Sequence, residues 1–471
     1  MPKRVILMVA LTLVFIFSSV SAHLVAAQVP SFSPRVLAWN PNTAEFAFYG
    51  ENGAFALVTT AASPRALAVP CLRFGDNLIY HLGADASAPQ TVVNLITGAV
   101  VPLGDNHGAA CTVNGFIQVS PFGGWLGVLR LNADALKLPF TVGRLDILNP
   151  VDGSNQHSTT DVTAYKLYND GALMLQFFAN SDGDANAADL RWWDGASERL
   201  IEQDIRPLEN CVFTSGRVVR AGDGVFTLFG EKCEGKGTSW RLMRSAFTGG
   251  NSTNIAQGKA GGAYFPTVAT SDIFVLPGES ALLLVVPNGL NLEIADLVRV
   301  NLSDGVVTTA ATFVVTDRHP VQPRRFLFSP DGKTLAFITR TGSGAETLYT
   351  LRLDGAAEPA KIVGGNRSDR INGVAWSGDG SRIYYATTGD SNSISYLDLA
   401  SGQRRLLVRG VFQGFAVSAD GTLIVTAKEN KIDNKDIRSN LILVNVAEQR
   451  ETVLVEGQKE GLALLPFAVA R

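Results

Sequence analysis

Three segments in the C-terminal third of the chain carry one and the same hairpin: Phe326-Leu-Phe-Ser-Pro-Asp-Gly-Lys-Thr-Leu-Ala-Phe337, Val374-Ala-Trp-Ser-Gly-Asp-Gly-Ser-Arg-Ile-Tyr-Tyr385 and Phe415-Ala-Val-Ser-Ala-Asp-Gly-Thr-Leu-Ile-Val425. Each reads as strand, Ser-x-Asp-Gly turn, strand. Ser and Asp side chains hydrogen-bond nearby backbone groups, and Gly accepts the positive φ of a tight turn. A third apolar stretch follows each hairpin, at 347–353, 394–399 and 441–446, and a short fourth one follows that, at 361–363, 405–408 and 451–455. The repeating unit is therefore a four-stranded antiparallel meander.

The same template, applied toward the N-terminus, finds weaker copies with turns near Pro41-Asn42, Gly75-Asp76, Phe122-Gly123, Asp170-Gly171, Asp223-Gly224 and Pro277-Gly278. Turn positions 42, 76, 122, 170, 223, 278, 331, 379 and 420 are 34 to 55 residues apart, close to the ~40 to 45 residues of a four-stranded blade plus loop insertions. Second strands such as 126–131, 225–229 and 282–286 are apolar on both faces, as strands must be when sheets stack face to face. The sequence is thus read as all-β: a single β-propeller of four-stranded antiparallel blades over residues 28–471, with the clearest repeats at 324–363, 371–408 and 412–455. Eight blades are favoured within a range of seven to nine. The final apolar stretch, 462–469, is expected to pair beside the first unit around Val36 to Trp39 and close the array.

The Ser-Pro-Asp-Gly-Lys form at 329–333 and the meander that follows it resemble the TolB-type, WD40-like propeller repeat. The resemblance covers Arg324 to Val455 well and the earlier units weakly. It extends to the propeller part alone, since too few residues lie between Gln28 and the first unit to form TolB's N-terminal α/β domain. What it implies is the propeller fold; TolB's envelope role does not follow from it.

Lys3 and Arg4 precede an uncharged apolar run from Val5 to Val20, and small residues follow at Val20-Ser21-Ala22 and Val25-Ala26-Ala27. This is the pattern of a signal peptide, here residues 1–27, with cleavage before His23 or Gln28. A run of this length is short for a membrane-spanning helix of ~20 residues. The mature chain is expected outside the cytoplasm (periplasmic, cell-surface or secreted), with no transmembrane segment. A net charge of −3 gives no reason to expect nucleic acid as a partner.

Cys211 and Cys233 straddle a hairpin centred near residue 222, which places them opposite one another and, in an oxidising compartment, predicts a cross-strand disulfide. Cys71 and Cys111 sit on the opening strands of consecutive units, where an inter-blade bridge is the weaker expectation. No C-x-x-C motif is present.

The loop 180–189 offers closely spaced oxygens on Asn180, Asp182, Asp184, Asn186 and Asp189, the donors that calcium takes. It lacks the full EF-hand pattern with its terminal Glu, and acidic turns are common in meanders. A solvated loop between second and third strands is the plainer reading, with calcium as the alternative. His81, His107, His157 and His319 show no metal-binding spacing. Trp125, Trp192, Trp193, Trp240 and Trp376 are read as packing residues first and as a sugar or peptide site second. No G-x-S-x-G nucleophile elbow occurs, and the adjacent Asp-Gly of the turns does not fit a sialidase Asp box.

With no catalytic motif in view, the function expected is that of an extracytoplasmic protein-, peptide- or envelope-binding module, monomeric and needing no cofactor. The alternative is a hydrolase or lyase acting on a polysaccharide or peptide at the mouth of the propeller channel.

Overall fold

The computed structural model describes residues 35–40, 45–50, 53–60, 69–74, 77–81, 90–94, 100–102, 117–120, 123–131, 142–150, 152–235, 237–260, 273–276, 278, 280–287, 294–314, 326–340, 345–353, 359–364, 370–388, 392–418, 420–431, 437–459 and 465–470. The segment read as a signal peptide lies outside these residues. The described chain is all-β, built of antiparallel meanders, with no α-helix among the described residues and no helix long and apolar enough to cross a membrane. It divides into two compact units, one made of residues 1–105 and 406–471 and the other of residues 106–405.

In the first unit, three four-stranded sheets are found. One is formed by Val69–Phe74, Asn77–His81, Gln90–Asn94 and Val100–Pro102, and a second by Val411–Val417, Leu423–Lys431, Ile437–Asn445 and Arg450–Lys459. The third joins Arg35–Asn40, Glu45–Gly50 and Gly53–Thr60 to the last strand of the chain, Leu465–Ala470. Val36 pairs with Val469, Leu37 with Ala468 and Trp39 with Leu465, so the C-terminal stretch lies where the sequence placed it. Val36, Ala38, Ala47 and Tyr49 of this sheet pack on Leu423, Val425, Leu441 and Leu443 of its neighbour.

The second unit holds three four-stranded sheets and one of eleven strands. The large sheet runs from Ile117–Val119 to Thr253–Ala260 and reads as three meanders joined edge to edge. The join between the first two is the strand Asn155–Tyr168. Its first half pairs with Gly143–Leu148 and its second half with Gly171–Ala179, and the direction changes at Asp161, whose φ of 60° is positive. One strand thus ends one meander and opens the next.

Stacking follows from residues buried on both faces. Val225 and Phe229 pack toward Leu173, Leu175 and Phe213, whereas Phe226 and Leu228 on the opposite face meet Leu282 and Leu284 of the next sheet. Leu283, turned the other way, packs on Leu335, Phe337 and Leu351, and Ala336 and Leu348 continue to Ile371, Ile383 and Tyr385. In this run the sheets holding Gly224–Cys233, Ala281–Pro287 and Thr334–Arg340 are buried on both faces, and this explains why their second strands lack a polar face. Four-stranded antiparallel sheets stacked in this way are consistent with a β-propeller.

The turns read at Asp170-Gly171, Asp223-Gly224, Asp331-Gly332, Asp379-Gly380 and Asp420-Gly421 fall between the first and second strands of a meander, and those read at Pro41-Asn42 and Gly75-Asp76, with Phe122 and Pro277, lie outside the described residues. In the three clearest repeats the Ser hydroxyl donates to the Asp carboxylate two residues on, at 2.6 Å for Ser329 and Asp331, 2.6 Å for Ser377 and Asp379, and 2.5 Å for Ser418 and Asp420.

Candidate functional site

The strand Ala185–Trp193 carries Asp189, Arg191 and Trp193 on one face and Leu190 and Trp192 on the other, because side chains alternate along a strand. Trp192 belongs to the apolar cluster with Leu173 and Phe213, and Trp193 to a different one with Leu145, Ile147 and Met174. Trp193 is met edge-on by Trp125 at 5.1 Å between ring centroids and is stacked by His157 at 5.4 Å.

A polar network grows from this aromatic floor. His157 Nε2 and Glu198 Oε2 are 3.0 Å apart, Arg191 donates to Glu198 Oε1 at 3.0 Å, and the Arg191 guanidinium also reaches Asp189 Oδ2 at 3.4 Å. Asp189 Oδ1 accepts the Asp204 backbone N–H at 3.0 Å. Gln176 stands directly opposite Asp189 in the strand register and donates to the Thr160 carbonyl at 2.6 Å. Two buried polar atoms of this group have no hydrogen-bond partner in the protein, the acceptor Gln176 Oε1 and the donor Arg191 Nε. The side chains of His157 and Glu198 are each 19% exposed and that of Arg191 32%, so the network reaches solvent. It sets two carboxylates against one guanidinium and suits a donor-rich or cationic group.

A second cluster lies on the neighbouring meander. Asp146, 3% exposed, accepts from Ser158 Oγ at 2.7 Å and pairs with Arg130 and Arg144. Burial raises its pKa, but the bonds from Ser158, Arg130 and Arg144 outweigh this and hold the carboxyl below the ordinary range. Every oxygen faces a donor, so the cluster is structural.

The structure separates the five oxygen-bearing residues of the loop 180–189. Asn180 Oδ1 accepts the N–H groups of Asp182 and Asp184 at 2.9 and 3.0 Å, which closes a turn with Gly183 at φ 83°. Asp182 is exposed at the tip, Asn186 is on the strand with its carbonyl accepting from Arg206, and Asp189 is buried in the network above.

Cys211 and Cys233 form a disulfide, as the hairpin reading predicted. Cys71 is on the strand Val69–Phe74, its side chain outside the described residues, and Cys111 lies outside them altogether. His107 and His319 also fall outside. Trp376 packs against the cluster of Ala336 and Ile383 and donates to the Leu327 carbonyl at 3.0 Å, a packing role. The pairing of His157 with Glu198, 41 residues apart, escaped sequence reasoning because no local motif marks it.

No family model matches the sequence. No curated protein is similar to it in sequence. Solved structures are similar in fold. A eukaryotic initiation factor is 12% identical with a TM-score of 0.50, the match covering 94% of this chain and 98% of that one. Two peptidases fall lower: the Porphyromonas gingivalis dipeptidyl peptidase 4, 11% identical with a TM-score of 0.48 over 83% of this chain, and a Mycobacterium tuberculosis puromycin-hydrolyzing peptidase, 14% identical with a TM-score of 0.41 over 84%. This chain spans 60% and 54% of those two proteins.

Proposed function

We propose that this chain is an extracytoplasmic binding module of the TolB-like propeller type, which takes a protein, peptide or envelope component on the face formed by His157, Arg191, Glu198, Asp189 and Gln176. The observation that carries this reading is the pair of buried, unpartnered atoms Gln176 Oε1 and Arg191 Nε inside a network whose outer members reach solvent. Buried polar groups are almost always satisfied, and these two lie beneath the His157, Glu198 and Arg191 side chains, which reach solvent and would meet a polar ligand. The network's two carboxylates against one guanidinium favour a basic or donor-rich segment. Eight blades fit the nine turns if the two meanders that share Asn155–Tyr168 act as one broad blade. An oxidising compartment suits the disulfide.

The test is affinity capture from periplasmic or secreted extract with the wild type and with Arg191→Ala. A partner recovered by the first and lost by the second supports the reading, and identical recovery by both overturns it.

A second reading, an enzyme acting on a peptide or polysaccharide, is favoured by one feature: the His157–Glu198 pair at 3.0 Å, in which the carboxylate orients an imidazole as a general base would require. Turnover of peptide or glycan substrates that disappears in His157→Ala would establish it. Turnover unchanged in that variant would remove it.

A further inference from the structure

The sulfurs of Cys211 and Cys233 and a carboxylate oxygen of Glu231 lie within 4.8 Å of one another. All three residues are buried, Glu231 completely. Glu231 Oε1 accepts two bonds from Arg241, at 2.6 and 3.0 Å, while Oε2 has no hydrogen-bond partner. Arg241 is itself anchored by donating to the Arg206 carbonyl at 2.7 Å. A fully buried carboxylate oxygen is costly to leave unsatisfied, and burial holds the Glu231 carboxyl above its ordinary range despite the Arg241 charge.

We propose that, when the Cys211–Cys233 disulfide is reduced, the two thiolates and the Glu231 carboxylate form a binding site for a thiophilic divalent cation such as zinc, so that disulfide and metal are alternative closures of this hairpin. The spacing suits it: metal–sulfur bonds of about 2.3 Å at a tetrahedral angle hold two sulfurs about 3.8 Å apart, and the opposed Cys211 and Cys233 have their Cα atoms 4.0 Å apart. Charge also balances. Two thiolates, one carboxylate, the Arg241 guanidinium and a divalent cation sum to zero, which a buried site requires. Reduction takes two electrons from an external dithiol or phosphine, which is itself oxidised, and gives two thiols; metal binding then releases their two protons.

The experiment uses the full chain in a Cys71→Ser/Cys111→Ser background, reduced with a phosphine, freed of reductant under anaerobic conditions and titrated with cadmium while the thiolate-to-metal charge-transfer absorption is followed. The expected result is one equivalent bound by the reduced protein, none by the oxidised protein, and affinity lowered about tenfold or more by Glu231→Gln. Because Glu231→Gln leaves Arg241 buried without its counter-charge, Glu231→Gln/Arg241→Met serves as a second variant, with far-ultraviolet circular dichroism reporting the fold. Absence of the absorption in the reduced protein, or equal affinity in the parent and in whichever Glu231 variant is folded, overturns the proposal.

Discussion

Cys211 sits directly opposite Cys233 across the strand pair Cys211–Ala221 and Gly224–Cys233, their Cα atoms 4.0 Å apart and 22 residues distant in sequence. The bond closes a hairpin already held by its own ladder, so its main effect is to restrict the unfolded chain. A loop of this length is worth about 3 kcal/mol. Cys211→Ser/Cys233→Ser is expected to lose about that much stability in denaturant titrations, and the Cys71→Ser/Cys111→Ser chain is expected to lose the same on reduction. A double variant as stable as the oxidised parent would show that the hairpin needs no cross-link.

Arg220 supplies a different kind of closure. Its guanidinium lies 4.8 Å from the ring centre of Tyr168, 4.7 Å from Trp192 and 5.0 Å from Phe247, and Nη2 donates to both oxygens of Asp170 at 2.9 Å. These contacts tie the meander around Tyr168 to the strand Cys211–Ala221. Arg220→Met keeps the apolar stem and removes the charge; it is expected to cost about 2 kcal/mol, with Arg220→Lys recovering part of the loss. Thermal melts measure the cost, and a red-shifted tryptophan emission in the Met variant would report the opening around Trp192.

Gly171 and Gly402 share a positive φ, +151° and +66°, but differ in surroundings. A Cβ on Gly171 would fall 1.9 Å from the Trp193 carbonyl oxygen, a backbone atom, whereas Gly402 has nothing within 4 Å. Gly402→Ala should therefore cost only the conformational strain, about 1 kcal/mol. Gly171→Ala has to displace the neighbouring strand and is expected to cost roughly 3 kcal/mol or more. Equal melting temperatures for the two variants would contradict this assignment.

The residues that made the fold legible are those whose chemistry is local. Asp-Gly and Ser-x-Asp-Gly mark turns because the Asp oxygen and the Gly φ act within a few residues, and so the hairpins at 331, 379 and 420 could be placed, and with them the degenerate ones at Asp170-Gly171 and Asp223-Gly224. Cys211 and Cys233 were legible for a related reason, as the turn between them fixes their register. The strand Asn155–Tyr168 was not. Its change of partner depends on Asp161 adopting a positive φ without a glycine to announce it, and on two meanders of one sheet that only the packed structure brings together. The candidate site is hidden in the same way: Asp189 looks like part of an acidic loop until the strand register sets it between Gln176, Arg191 and the Asp204 amide.

The repeated turns also predict how stability depends on pH. Asp379 accepts from Ser377 Oγ at 2.6 Å, from the Ser381 N–H at 3.0 Å and from Ser381 Oγ at 2.8 and 2.9 Å. The Ser377 bond, followed by those from Ser381, lowers its pKa to about 2. Asp331 is lowered in the same direction, by the Ser329 hydroxyl first and the Lys333 N–H next. An aspartate whose pKa is depressed on folding contributes its stability above the unfolded value of about 3.9 and loses it as the pH falls toward the folded value. The melting temperature is therefore expected to decline as the pH is lowered from about 4 to about 2. In Asp331→Asn/Asp379→Asn the amide oxygen still accepts the turn bonds but no longer titrates, so the double variant should show a shallower decline across that window and a smaller change near neutrality. Melting curves from pH 2 to 7 distinguish the outcomes, and a parental slope in the double variant would mean that other carboxylates, with Asp146 and its Arg130, Arg144 and Ser158 partners foremost, govern acid unfolding.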